Sequence, residues 1–235
     1  LLGALKNLSK FLYKFLFKVI AVSRGVKNDL LENTGLNKKN IEVIYNGVIS
    51  KKLISFKIKK HSNLSKKFIF VGRLSPEKGI LGILNSFIEI AKKDTTISLT
   101  ILGDGPQEEE IIKIIKSNNL MNRINMMPFR DDYLSILSKH EVFVMNSEVE
   151  GLPSLLIEAL ALNLKIITSN CNYGPSEIVE NHIDCCLFDL DSNGLLESMQ
   201  IMIKNHNNTI RDIDSMEDFF EDRCLEKYLN IGIKK

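Results

Sequence analysis

VFVMNSEVEGLPSLLIEALALNLKIIT, residues 142–168, carries two different periods in one run. Val142, Phe143, Val144 and Met145 form an unbroken apolar stretch, the pattern of a strand buried on both faces. A polar loop follows, and Pro153 suits the first turn of a helix because it has no N–H to leave unpaired. Apolar residues at helical spacing continue to Leu162, and Ile166 and Ile167 then return to strand. The reading is strand 142–146, helix 153–162 and strand 165–168. That is one βαβ unit, whose strands lie parallel with a right-handed crossover.

The same alternation extends in both directions. Upstream are strand candidates at 67–72, 97–103 and 124–128, separated by helix candidates at 76–92, 107–118 and 132–138. Downstream are a helix at 175–180, a strand at 185–188 and a helix at 194–205. Repeated βα units predict an α/β fold, a Rossmann-like doubly wound parallel sheet. Farther upstream, 19–23, 26–32 and 41–45 make one more strand-helix-strand unit. A single such unit cannot bury both faces of its sheet, so it reads as the remnant of a separate N-terminal domain. Asn46-Gly47 punctuates the chain behind it. The expected division is therefore an N-terminal remnant and hinge at 1–50, a Lys-rich linker at 51–66, a ligand-binding domain at 67–205 and a helical tail at 206–235. Within that tail, 216–229 is expected to be a helix bearing Phe219, Phe220, Cys224 and Tyr228.

Composition sets limits. At 235 residues, with 44% hydrophobic and 26% charged residues, the chain can bury a full core without disulfides or metals. A net charge of +2, spread over both signs, does not call for a nucleic-acid partner. Cys171, Cys185, Cys186 and Cys224 lack metal-knuckle spacing, and the four histidines are scattered. A reduced, cytoplasmic protein without a structural metal is expected. In the first twenty residues Lys6, Lys10, Lys14 and Lys18 interrupt the apolar run every fourth position, unlike a signal sequence or a membrane span. Their spacing describes a basic amphipathic helix, either packed on another domain or lying peripherally on the inner face of a membrane.

In a doubly wound sheet ligands sit beyond the carboxyl ends of the strands. Arg73 and Lys78 lie just past the strand at 67–72, where two cations near a helix start could clamp a diphosphate. Taken alone they would read as solvated surface charges. Gly103-Asp104-Gly105-Pro106 is a tight turn that matches neither phosphate-loop pattern. After the strand at 142–146, Glu150 lies in the loop, and the backbone N–H groups near Ser154 and Leu155 are free to face an anion. Glu158 falls one to two turns into an otherwise apolar helix, a carboxylate suited to a ribose diol. Glu177 could cap a helix or touch substrate. Asp189-Leu190-Asp191 matches a short metal-binding pattern, but Asp191 reads better as the entry to the last helix.

Together VGRLSPEKG (71–79), LGDGP (102–106), EGLPSLLIEAL (150–160) and GPSEIV (174–179) resemble the family 4 retaining glycosyltransferases, in family order and spacing. The resemblance covers about residues 64 to 190 well. It implies the C-terminal half of the two-domain GT-B architecture, with 19–23 and 43–48 similar to the end of the N-terminal domain and its hinge. It implies that Arg73 and Lys78 neutralise the donor diphosphate and that Glu158 holds the ribose. Glu150 would contact the donor sugar near the reacting carbon, and the backbone from Gly151 through Leu152, Ser154 and Leu155 would hold sugar and phosphate. No metal is implied. The substrate would be a nucleotide-sugar, with uridine as the base. A hexose would pass with retention to a hydroxyl of a glycan or glycolipid acceptor, in surface polysaccharide or glycolipid synthesis. Three positions depart from the family pattern: Pro128-Phe129-Arg130 near the nucleobase, Leu162-Asn163 at the helix end and Asn46-Gly47-Val48 at the hinge. The rival expectation is a truncated, non-catalytic nucleotide-sugar-binding module. A doubly wound regulatory domain would leave the Glu150 and Glu158 pair unexplained.

Overall fold

The computed structural model describes residues 18–56, 66–180, 182–190, 193–205 and 210–233. Six strands form one parallel sheet: β3 (Lys67–Val71), β4 (Ser98–Leu102), β5 (Ile124–Met127), β6 (Val142–Met145), β7 (Lys165–Ser169) and β8 (Cys185–Phe188). Their order across the sheet is β5-β4-β3-β6-β7-β8, with every pairing parallel. The chain works outward from β3 to one edge, then returns beside β3 as β6 and works outward the other way. The order therefore reverses between β3 and β6, where the connections diverge to opposite faces and open a crevice. The doubly wound expectation is met, and each of the six strands lies within two residues of its expected bounds.

Alternation along β3 shows how both faces are filled. Phe68 and Phe70 join one apolar cluster, and Ile69 and Val71 join the other. The first cluster is closed by α3 (Ile80–Ala91), α4 (Glu108–Ser117) and α8 (Gly194–Lys204), through Ile83, Phe87, Ile111, Ile115 and Met199. The second is closed by α5 (Tyr133–Leu137), α6 (Ser154–Ala161) and α7 (Pro175–Val179), through Leu137, Leu156, Leu160 and Ile178. Each such buried side chain contributes roughly 1.5–3 kcal/mol relative to exposure. Asn163 ends α6 with φ 64°, the left-handed conformation that Asn tolerates where glycine is usual.

The first unit is β1 (Val19–Ala21), α1 (Arg24–Thr34) and β2 (Ile41–Val43), the two strands pairing in parallel. The stretch 51–66, expected as a linker, begins with a short helix, α2 (Lys51–Ser55). The Ser50 hydroxyl accepts from the Leu53 N–H, and Leu53 is buried in the second cluster. Lysine content masked that helix, because one buried leucine and a serine cap suffice to anchor five residues. The tail also differs from expectation. A 3₁₀ segment (Ile213–Phe219) precedes α9 (Glu221–Ile233), and Phe220 breaks the two apart with extended φ and ψ. Phe219 accepts from the N–H groups of Val48 and Ile49, and Ile49 bridges Phe220 in parallel. The tail thus crosses back onto the hinge, which it could not do as one continuous helix.

Candidate functional site

Two loops meet at the crevice. After β3, Pro76–Lys78 form a 3₁₀ turn rather than the first turn of one long helix, and Gly79 (φ 61°) redirects the chain into α3. A Cβ on Gly79 would overlap Asn146 at the end of β6, whose side-chain amide donates to the Gly79 carbonyl at 2.9 Å. That close approach requires glycine. It sets the height of Lys78 against the loop after β6, where Glu148 N–H also donates to the Glu77 carbonyl at 2.9 Å.

Lys78 Nζ lies 2.6 Å from Glu150 Oε1, with the two side chains 30% and 15% exposed. Glu150 is itself held by a two-way backbone exchange, its N–H donating to the Asn172 carbonyl and its carbonyl accepting from Tyr173 N–H. Below this pair is a cavity of about 220 Å³ whose wall includes Gly72, Lys78, Ser147, Glu150, Ser154 and Leu155. Leu152 and Pro153 line it too. Gly151 precedes them in the same loop. At the start of α6, Pro153 provides no side-chain cap, and the N–H groups of Ser154 and Leu155 have no acceptor among the described residues. A lysine and an open helix start converge on one small volume, which suits an anion. The Ser147 hydroxyl, buried on the wall of that cavity, has no hydrogen-bond partner. Sequence reading passed over it because an isolated serine after a strand carries no pattern.

Arg73 stands apart. It is exposed at the exit of β3 and does not line the cavity; its carbonyl accepts from Ser75 N–H at 3.0 Å, and its side chain forms no hydrogen bond or ion pair among the described residues. Its guanidinium is therefore free for a ligand above the crevice. The Gly103–Gly105 turn is now explained by packing: a Cβ on Gly103 would overlap the Gly72 carbonyl, and one on Gly105 would overlap that of Leu74. These glycines let the ends of β3 and β4 abut.

Glu158 lies one turn farther along α6. Its Oε1 accepts from the Tyr133 hydroxyl at 2.7 Å, and its Oε2 is buried with no partner. Burial raises its pKa, and the Tyr133 hydrogen bond opposes that rise. Tyr133 in turn rests against Phe129, their ring centroids 5.5 Å apart. Tyr133 was not singled out in the sequence. Its only signal is a position soon after the Pro128-Phe129-Arg130 departure.

Glu177 does not reach this cavity. Its carboxylate accepts from Arg24 N–H (2.9 Å), Gly25 N–H (3.3 Å), Arg24 Nε (3.3 Å) and the Tyr45 hydroxyl (3.0 Å). It caps α1 in the first unit rather than its own helix, and it also lines a second cavity, of about 640 Å³. Burial and Glu177 push the Tyr45 hydroxyl up to about 12, so it remains a donor at neutral pH. Asp189 accepts from Asn170 at 3.2 Å, and Asp191 lies outside the described residues. Among the described residues no three His, Cys, Asp or Glu side chains are grouped to hold a metal, and no helix is long and apolar enough to cross a membrane. The basic helix expected at 1–20 falls almost wholly outside them.

Comparison with known proteins follows the same lines. The sequence model for glycosyl transferases group 1 matches residues 51–212, and that for glycosyltransferase family 4 matches residues 2–52. A Campylobacter jejuni N-acetylgalactosamine-N,N'-diacetylbacillosaminyl-diphospho-undecaprenol 4-alpha-N-acetylgalactosaminyltransferase is 28% identical, over 94% of this chain and 57% of its own. An Escherichia coli UDP-Gal:alpha-D-GlcNAc-diphosphoundecaprenol alpha-1,3-galactosyltransferase is 30% identical, over 94% of this chain and 64% of its own. The chain thus spans little more than half the length of these relatives. Among solved structures, the apo form of the lipopolysaccharide outer core galactosyltransferase WaaB superposes with a TM-score of 0.77 at 20% identity, covering 92% of this chain and 62% of that one. The fold is that of GT-B glycosyltransferases, and the chain belongs to the glycosyl transferases group 1 family.

Proposed function

We propose that this chain is the donor-binding part of a retaining, family 4-type glycosyltransferase that moves a hexose from a UDP-sugar to an acceptor hydroxyl. The observation that carries the reading is the Lys78–Glu150 pair above a small cavity, beside the uncapped start of α6. In this reading Lys78 and Arg73 neutralise the diphosphate, and the Ser154 and Leu155 N–H groups add donors where negative charge grows as the sugar leaves. Glu150 faces the sugar end, and Glu158 takes the ribose. Cations and a helix start supply the electrostatics that a metal supplies elsewhere, so no metal is required.

Support for the donor comes from the Escherichia coli relative, whose name specifies UDP-Gal. Support for a lipid-linked glycan acceptor comes from that relative and from the Campylobacter jejuni one, both named for diphosphoundecaprenol-linked substrates. On this reading the enzyme works in surface polysaccharide or glycolipid synthesis, at the cytoplasmic side of a membrane.

The test is calorimetric titration with UDP, repeated with GDP and with EDTA. Saturable UDP binding that survives EDTA supports the assignment. A strict metal requirement would sink the metal-free reading and return attention to Asp189 and Asp191. Absence of binding to either nucleotide would sink the donor-site reading for this chain.

A further inference from the structure

We infer that Tyr133 is a positioning residue for the nucleotide, acting by holding the Glu158 carboxylate in place for a ribose hydroxyl. The inference rests on the donor-site reading above and adds a residue to it. Glu158 has one donor, the Tyr133 hydroxyl at 2.7 Å on Oε1, while Oε2 is buried and unpartnered. A buried carboxylate oxygen without a donor is costly, and such orphans call for a missing hydroxyl, water or ion. A ribose hydroxyl is the donor that a nucleotide brings.

Tyr133 is itself fixed from several sides. Its ring lies against that of Phe129 at 5.5 Å, with an interplanar angle of 32°. Phe129 N–H donates to Asp104 Oδ2 at 2.9 Å, which ties it to the glycine turn after β4. Arg130 pairs with Asp132 at 2.7 Å and 3.1 Å through two nitrogens, closing the approach to α5. The three residues that depart from the family pattern thus open the segment that places the hydroxyl. Freezing a carboxylate's rotation before the ligand arrives removes that ordering cost from binding.

The hydroxyl also acts on charge. Burial favours the protonated form of Glu158, and the Tyr133 hydrogen bond favours the ionised one. The elements packed most extensively on α6 are β6, β7, α2, α7 and the 3₁₀ segment Ile213–Phe219, and α5 reaches it through Tyr133. Of their charged groups, Lys165, Lys51, Lys52, Glu177, Asp214, Glu217 and Asp218, none forms a hydrogen bond or ion pair with the Glu158 carboxylate, which the Tyr133 hydroxyl alone reaches among the described residues. Tyr133 is therefore the group that opposes protonation of this carboxylate.

The experiment compares wild type with Tyr133→Phe, which keeps the ring contact and removes one oxygen. UDP and 2′,3′-dideoxy-UDP are titrated calorimetrically from pH 5 to pH 8. Using their affinity ratio cancels the titration of the phosphates. The expected result is a loss of about tenfold in UDP affinity at neutral pH, the scale of one charge-assisted hydrogen bond. Dideoxy-UDP affinity stays unchanged, and the pH at which the ribose advantage vanishes moves upward. Equal losses for both nucleotides, or unaltered or tighter UDP binding, would overturn the inference while leaving the donor site standing. Failure of wild type to bind UDP at all would remove both. Circular dichroism confirms that the variant is folded.

Discussion

Glu158→Gln should make the protein more stable at neutral pH while disabling its nucleotide site. The side chain lies on α6, the helix whose Leu156, Ile157 and Leu160 are buried in the second cluster, and its Oε2 is buried with no donor. An amide keeps an acceptor for the Tyr133 hydroxyl and removes the buried charge. The residual cost is an amide N–H₂ where Oε2 stood, which is smaller than that of an unpaired charge. The net gain is about 1 kcal/mol at pH 7, the lower end of the range for relieving an unsatisfied buried group. In a chain of this size that raises Tm by about 2–4 °C. The gain depends on pH with a definite sign. Because the folded-state pKa of Glu158 is raised, proton binding stabilises the native protein below the ordinary glutamate value. That stabilisation is lost as pH rises through the raised value. Wild type and Glu158→Gln should therefore match near and below about pH 4 and diverge above it. Urea unfolding at pH 4 and pH 7, with UDP titration at pH 7, measures both halves. Equal stability at pH 7, or a variant less stable than wild type, would refute the view of Glu158 as a strained, uncompensated carboxylate.

Other outcomes follow from the same geometry. Arg73→Ala and Lys78→Ala should each weaken UDP binding by about 1–3 kcal/mol, measured by calorimetry on folded variants. Glu150→Gln releases Lys78 from its 2.6 Å ion pair, so UDP should bind as well as before or better, whereas sugar transfer by the full-length enzyme should fall. Gly103→Ala drives a methyl into the Gly72 carbonyl and should cost about 2–3 kcal/mol in urea unfolding. Glu177→Ala strands four donors at the α1 junction. It should cost about 2 kcal/mol of stability yet leave UDP affinity unchanged.

The parts of this fold that could be read from the sequence are those set by short-range pattern. Apolar runs such as Val142–Met145 and the proline-led start of α6 are local events, and they fell where periodicity placed them. The candidate site residues on those elements were nominated for the same reason, since a strand end followed by a helix start is where such sheets hold ligands, and the structure brings Lys78, Glu150, Ser154 and Leu155 to one cavity. Pairwise facts were not legible. Nothing near Glu177 announces that its partners are Arg24, Gly25 and Tyr45, and nothing near Tyr133 announces Glu158, because those contacts join segments 25 to 153 residues apart. The 3₁₀ turn at Pro76–Lys78 was hidden by a subtler competition. Gly79 can end or continue a helix, and only the approach of Asn146 shows which.

The return of the tail onto the hinge also has a meaning in time. A ribosome delivers β8 before the residues that clasp Val48 and Ile49, and Phe219 follows Phe188 by about 30 residues, some two to six seconds at ~5–20 residues per second. Until Phe219 is made, the Val48 and Ile49 N–H groups have no acceptor from the tail, so the hinge gains these contacts only after every strand of the sheet has been synthesised.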